Sequence, residues 1–244
     1  MKKPVKMLTG LGLCLLLNAA AAGTALATGW TSESGTWKYV DNNGSYAANE
    51  WKTSNGESYY LGSDGEMETD AWIDGTYYVN SQGAMVKNAW IQVTETGGTK
   101  APGWYYLGSS GKLEQDGWKT IGDYKYCFDS DGRMRTGWYF EDDNTYYLGG
   151  GDDGAMKTGW RCLAFDEDEM PEEGDISPAY SSAGEDVKWF YFQTNGKAKK
   201  ANDGDYVTMT VDGRKYYFDE NGVMLTGWQA LDDAESGDAT GISK

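Results

Sequence analysis

One short phrase recurs along the whole chain: an aromatic pair, a polar turn ending in Gly, a small apolar residue and then Trp. The clearest copy is KYYFDENGVMLTGW, from Lys215 to Trp228. Others are SYYLGSDGEMETDAW (Ser58 to Trp72), TYYVNSQGAMVKNAW (Thr76 to Trp90), KYCFDSDGRMRTGW (Lys125 to Trp138) and TYYLGGGDDGAMKTGW (Thr145 to Trp160). The recurring tryptophans are Trp30, Trp51, Trp72, Trp90, Trp118, Trp138, Trp160 and Trp228. A phrase repeated every 18 to 28 residues as far as Trp160, and again after a longer gap, describes an array of small units rather than a globule with one active site, and it spreads any function along a surface.

Each unit reads as a β-hairpin. Tyr-Tyr-Leu and Tyr-Tyr-Phe are strand formers. Asn43-Gly44, Asp64-Gly65, Gln82-Gly83, Ser110-Gly111, Asp131-Gly132, Asp153-Gly154, Asn195-Gly196 and Asn221-Gly222 supply tight turns, because Gly accepts positive φ without a Cβ clash. Two residues after the turn Gly come Met67, Met85, Leu113, Met134, Met156 and Met224, expected on the inner face beneath the aromatic strand. A lone hairpin of this size buries too little to be stable, whereas stacked copies bury a continuous core. The expected fold is therefore all-β, an elongated β-solenoid of stacked hairpins. In the last stretch Tyr206 stands where the pattern calls for Trp.

The chain divides into five parts. Residues 1–27 read as a secretory signal peptide: Lys2, Lys3 and Lys6, an apolar run from Leu8 to Leu17, and the small-residue cleavage pattern Ala25-Leu26-Ala27. That apolar run is shorter than the ~20 residues a spanning helix needs, so membrane insertion is not expected. Residues 28–164 hold the first repeats. Residues 165–186 form an acidic, Pro-containing loop insertion, 187–228 the last repeats, and 229–244 a polar tail.

Charge narrows the partners. The sequence has 21 Lys and Arg against 38 Asp and Glu. So acidic a chain repels nucleic acid, which is bound mainly by neutralising phosphates, and suits a cationic ligand or a neutral sugar. There is no His, the commonest general base and metal ligand. The turn Asp129-Ser130-Asp131-Gly132 opens like a calcium loop, but Arg133 follows and no acidic residue closes the loop. No cofactor, metal site or catalytic residue is expected. With the signal gone, Cys127 and Cys162 are the remaining cysteines, and the sequence leaves open whether they form a disulfide.

The phrase GW, then (W/K)YY(F/L), Gly-x-Met and TGW resembles the cell-wall-binding, or choline-binding, repeats of Gram-positive bacteria, related to repeats of clostridial toxins and glucan-binding glucosyltransferases. The resemblance covers nearly all of the chain after residue 27. It implies stacked hairpins and non-covalent attachment to the cell wall, through choline-bearing teichoic acid or another cell-wall polysaccharide. It also implies that each choline sits between successive repeats, caged by the leading Trp, a Trp that opens the Tyr-Tyr strand and a Tyr of the next hairpin. Carried over residue by residue, this gives Trp30 and Trp37 with Tyr60, Trp90 and Trp104 with Tyr126, and Trp160 and Trp189 with Tyr217. The long insertion separates the last Trp pair. In the other units Ser58, Thr76 and Thr145 remove one wall, and Lys125 and Lys215 place a cation at the strand-opening position. Those units look more like the sugar-binding relatives. Members of the family often join such repeats to a catalytic domain. Here the array follows the signal directly, so a secreted, non-catalytic envelope-binding protein is expected. Glucan or host oligosaccharide binding and a structural or adhesive role are the alternatives.

Overall fold

A computed structural model describes residues 28–164, 187–202 and 206–226. The expected signal peptide, the acidic insertion, Trp228 and the polar tail lie outside the described residues. Every regular element described is a β-strand, and each strand pairs antiparallel or in a two-stranded sheet with its sequence neighbour. The pairs are β1 (Gly29–Glu33) with β2 (Thr36–Val40), β3 (Glu50–Ser54) with β4 (Glu57–Leu61), β5 (Ala71–Ile73) with β6 (Tyr77–Val79), and β7 (Ala89–Val93) with β8 (Gly103–Leu107). They continue with β9 (Gly117–Ile121) and β10 (Tyr124–Phe128), β11 (Trp138–Glu141) and β12 (Asn144–Tyr147), β13 (Gly159–Ala164) and β14 (Val187–Phe192), and β15 (Val207–Val211) and β16 (Arg214–Phe218). The chain forms two compact units. One holds the described residues up to Ala89 together with Leu107–Leu113; the other holds Trp90–Tyr106 and the described residues from Glu114 onward.

The hairpins are phased differently from the sequence expectation. Each one joins the Trp strand to the Tyr-Tyr strand that follows it, so that Trp30 faces Tyr39 and Trp51 faces Tyr60. The hairpin turns are therefore Ser34-Gly35, Asn55-Gly56, Asp142-Asp143 and Asp212-Gly213, all with positive φ at both positions, as two-residue hairpin loops favour. The turns singled out from the sequence come after the second strand. They fold the chain back through isolated bridges such as Leu61↔Met67, Val79↔Met85 and Phe128↔Met134. At Asn80, Asp129 and Asp219 the opening residue caps the turn with its own side chain: Asp129 Oδ1 accepts from the backbone N–H groups of Asp131 at 3.0 Å and Arg133 at 2.7 Å. The carboxylate that resembled a calcium ligand is thus committed to its own turn.

One backbone contact links hairpin to hairpin at every step described within the two units. The N–H of the residue two beyond the turn Gly donates to the carbonyl of the residue that opens the preceding Tyr-Tyr strand. Met67 N reaches Trp37 O at 2.8 Å, Met85 N reaches Ser58 O at 2.8 Å and Leu113 N reaches Thr76 O at 2.8 Å. In the other unit the pairs are Met134 with Trp104, Met156 with Lys125, Ala198 with Thr145 and Met224 with Trp189, at 2.7 to 2.9 Å. The methionine side chains meet one expectation and go beyond it. They pack against the strand of their own hairpin, Met134 with Tyr126 and Phe128 and Met156 with Tyr146 and Leu148, but they also cover the turn glycine of the next hairpin. A Cβ on Gly83 would meet Met67 Sδ at 2.7 Å, and one on Gly111 would meet Met85 Sδ at 2.5 Å.

The core is a row of aromatic layers. In β4 and β8 the first Tyr of the pair is buried (Tyr59 and Tyr105), the second half-buried (Tyr60 and Tyr106), and the following Leu fully buried. This is the period-two alternation of a strand. Tyr206 does not replace the missing Trp. By register Thr208 pairs with Tyr217 as Trp30 pairs with Tyr39. Tyr206 lies two residues earlier, on the same face, and its ring reaches Tyr217 at 5.5 Å. Cys127 and Cys162 are both free thiols, the first buried and the second exposed.

Candidate ammonium cages between hairpins

Two aromatic clusters in the second unit have the same construction. In the first, Trp90 and Trp104 meet at 6.5 Å between ring centroids and 86° between planes. Trp90 also touches Tyr106 of its own hairpin at 5.0 Å and Tyr126 of the next at 4.9 Å, and stacks on Phe128 at 5.8 Å and 28°. In the second, Trp160 and Trp189 meet at 6.3 Å and 80°. Trp160 touches Tyr191 at 5.1 Å and Tyr216 at 4.7 Å, and stacks on Phe218 at 5.9 Å and 28°.

The structure therefore brings Trp90, Trp104 and Tyr126 together. The Trp160–Trp189 pair is assembled too, despite the long insertion, because the two residues sit on paired strands with Trp160 opposite Tyr191. Its third wall is Tyr216, not Tyr217. Tyr217 faces Tyr206 and has the Lys215 ammonium 5.9 Å from its ring. Trp189 is 46% exposed, so this cluster is open to solvent on one side.

The cluster in the first unit is different. Trp30 packs edge-on against Tyr39 at 5.4 Å and Tyr59 at 5.2 Å. The Tyr reaching back from the next hairpin is again the first of its pair, so Tyr60 does not wall this site. Tyr60 instead joins Trp51, which also meets Tyr77. Trp37 lies on the same face as Tyr39, two residues earlier and opposite Ser32. A cation of the protein is already present here: Lys52 Nζ lies 4.9 Å from the Tyr39 ring centroid. It is held by Asp41 at 2.6 Å and Glu50 at 3.3 Å. The Asp41 hydrogen bond holds this ammonium above the ordinary lysine range, against the smaller opposing effect of burial.

Elsewhere the leading Trp has the Tyr contacts but not the second Trp. Trp51 has Ser58 at the strand-opening position, and Trp72, which touches Tyr78 at 5.4 Å, has Thr76. Trp138 is only 1% exposed, closed in by Phe190, Phe192 and Tyr147, with Thr145 buried beside its strand partner. Around Trp118 the strand-opening residue is the exposed Lys125, and Cys127 takes the place of the cross-strand Tyr. Tyr139 from the next hairpin packs into this smaller site, and Glu141 accepts from both Trp118 Nε1 and Tyr139 Oη at 2.9 Å. Arg135 lies over the Tyr139 ring at 5.0 Å. Burial raises the phenols of Tyr106, Tyr139 and Tyr146, so they stay neutral at ordinary pH.

Chemically, the two clusters suit a cation that carries no hydrogen-bond donor. Ring faces attract positive charge through their quadrupole, with Trp the strongest, and a quaternary ammonium needs no acceptor. Sequence models of the choline-binding repeat match residues 45–84 and 66–112, and residues 116–160 and 208–236. The chain belongs to the choline-binding repeat family. The stretch between the matched segments includes Trp189, so the second cage is recognised from its geometry.

Solved structures with the same fold include three from Streptococcus pneumoniae. Choline binding protein F is 30% identical with a TM-score of 0.53, the match covering 82% of this chain and 57% of that one. CbpJ is 28% identical with a TM-score of 0.54, covering 81% and 58%. The modular autolysin LytC, 24% identical with a TM-score of 0.53, covers 81% and 39% and speaks to the fold alone. The chain thus spans less than two thirds of the length of each. No curated protein matches the sequence. Among the described residues no helix is long and apolar enough to cross a membrane.

Proposed function

We propose that this is a secreted, non-catalytic protein that docks on the bacterial cell wall by binding choline on teichoic acid at the Trp90–Trp104–Tyr126 and Trp160–Trp189–Tyr216 cages. The single observation that carries the reading is the near-identity of these two clusters. Each sets two tryptophans nearly perpendicular, with a Tyr of the following hairpin less than 5 Å from the leading Trp. Purely structural stacking requires no second Trp, since the Trp51 hairpin packs its two tyrosines with Ser58 in that place. The recurring hairpin-to-hairpin hydrogen bond supports reading the array as a β-solenoid. Residues 1–27 are its secretion signal on this reading.

Each cage alone holds one small cation weakly. Two cages on one polymer bind more tightly through effective concentration. The test is retention of the chain on a choline-type resin and on glucan resin, followed by elution with free choline. Retention on choline resin and release by choline support the reading. Retention on glucan alone, insensitive to choline, favours the glycan-binding alternative.

A further inference from the structure

The loop between β12 and β13 is longer than its counterparts. The equivalent turn after β10 is Asp129-Ser130-Asp131-Gly132, whereas here the chain runs Gly149-Gly150-Gly151-Asp152-Asp153-Gly154. Positive φ at Gly149 and Gly154, and the bond from Asp153 N to Gly150 O at 2.8 Å, close this wider loop. Its added length carries Asp152 back to a residue 48 positions earlier: Trp104 Nε1 donates to Asp152 Oδ1 at 2.9 Å. The adjacent Asp153 is committed to Lys157 at 2.6 Å.

Two consequences follow for the Trp90–Trp104 cage. The hydrogen bond fixes the rotation of an indole that is otherwise half-exposed, holding it across Trp90. The carboxylate also places a full negative charge at the indole's N–H edge. Charge there polarises the N–H and adds a Coulombic attraction for any cation in the cage, which a neutral ligand of the same shape does not feel.

We propose that Asp152 is a positioning and specificity-determining residue that makes the Trp90–Trp104–Tyr126 cage select quaternary ammonium over neutral ligands of equal shape. This rests on the cage reading given above. A mere brace for Trp104 would affect charged and neutral ligands alike, and that difference makes the proposal testable.

The experiment titrates the chain with choline chloride and with 3,3-dimethylbutan-1-ol, which replaces the nitrogen by carbon, following tryptophan fluorescence. The signal lost in Trp104→Ala is assigned to this cage. The amide in Asp152→Asn still accepts the indole hydrogen bond but carries no charge. It is expected to weaken choline binding about three- to tenfold and to leave binding of the alcohol within about twofold, whereas Asp152→Ala weakens both. An unchanged choline-to-alcohol ratio in Asp152→Asn overturns the assignment while leaving the cage intact. Binding of neither ligand by the wild-type chain brings down the cage reading and this proposal together.

Discussion

The backbone carbonyl of Trp104 accepts the N–H of Met134 at 2.7 Å, so the residue that supplies the second wall of the cage is also the residue on which the next hairpin docks. The same contact forms when the docking carbonyl belongs to Ser58, Thr76, Lys125 or Thr145. The main chain at this position therefore docks the next hairpin whatever side chain it carries, so the side chain can vary from repeat to repeat. The leading tryptophans have no such freedom, because their rings are packed into the aromatic layers on both sides.

This division separates binding from stability. Trp104→Ala should abolish the cage while costing about 1–2 kcal/mol of folding stability, for the lost Asp152 hydrogen bond and the packing of a partly exposed side chain. Trp90→Ala should lose the ligand and about 3 kcal/mol or more, since it strips contacts from Tyr106, Tyr126 and Phe128. Urea denaturation of the two variants, alongside choline titration, checks the contrast. Equal stability losses would refute it.

A missing site should be creatable. Trp51 already has Tyr60 at 5.1 Å and Tyr77 at 5.4 Å, the counterparts of Tyr106 and Tyr126. Ser58→Trp completes that set and should add one choline per chain, read as a rise in calorimetric stoichiometry. An unchanged stoichiometry with the fold preserved would show that a second Trp is not what distinguishes a cage.

The methionine contacts predict a coupled pair. Gly83 has φ 77°, and a Cβ there would collide with Met67. Gly83→Ala should cost about 1–3 kcal/mol from strain and overpacking. In Gly83→Ala/Met67→Ala the steric part is relieved, so the double variant should lose less than the sum of the singles. Additive losses in thermal unfolding would deny the contact.

Cys127 gives a pH signature. Burial pushes its thiol up from an ordinary 9.0 to about 11, outweighing the opposing influence of the neighbouring Tyr139 and Arg135. The folded state then holds the proton more tightly than the unfolded state. Its contribution, on the order of 2 kcal/mol, is complete below pH 9 and is lost as the pH rises from 9 to 11. Wild type should therefore lose more stability than Cys127→Ala across that window in urea titrations. At pH 8 the exposed Cys162 should be alkylated in the folded chain, and Cys127 only after denaturation.

Much of this was legible in the sequence, and the misreadings have physical causes. The repeating Trp and Tyr-Tyr positions revealed an all-β array, and the resemblance to choline-binding repeats implied Trp90, Trp104 and Tyr126 as a group. The hairpin phase was misread because Asn-Gly and Asp-Gly occur at both ends of the Tyr-Tyr strand; Asn55-Gly56 and Asp212-Gly213 were equally strong signals. Tyr60 and Tyr217 were chosen over Tyr59 and Tyr216 because the pairing register was not known. A one-residue shift moves a strand side chain to the other face. The approach of Asp152 to Trp104 and of Lys52 to Tyr39 left no periodic trace, since each depends on a single side chain reaching another hairpin.

The most direct test of the two-cage account is choline-dependent elution of the Trp104→Ala/Trp189→Ala double variant from a choline-type resin. The account predicts a folded protein that passes through unretained, while each single variant is retained more weakly than wild type. A double variant that binds the resin and elutes with choline as wild type does would contradict it.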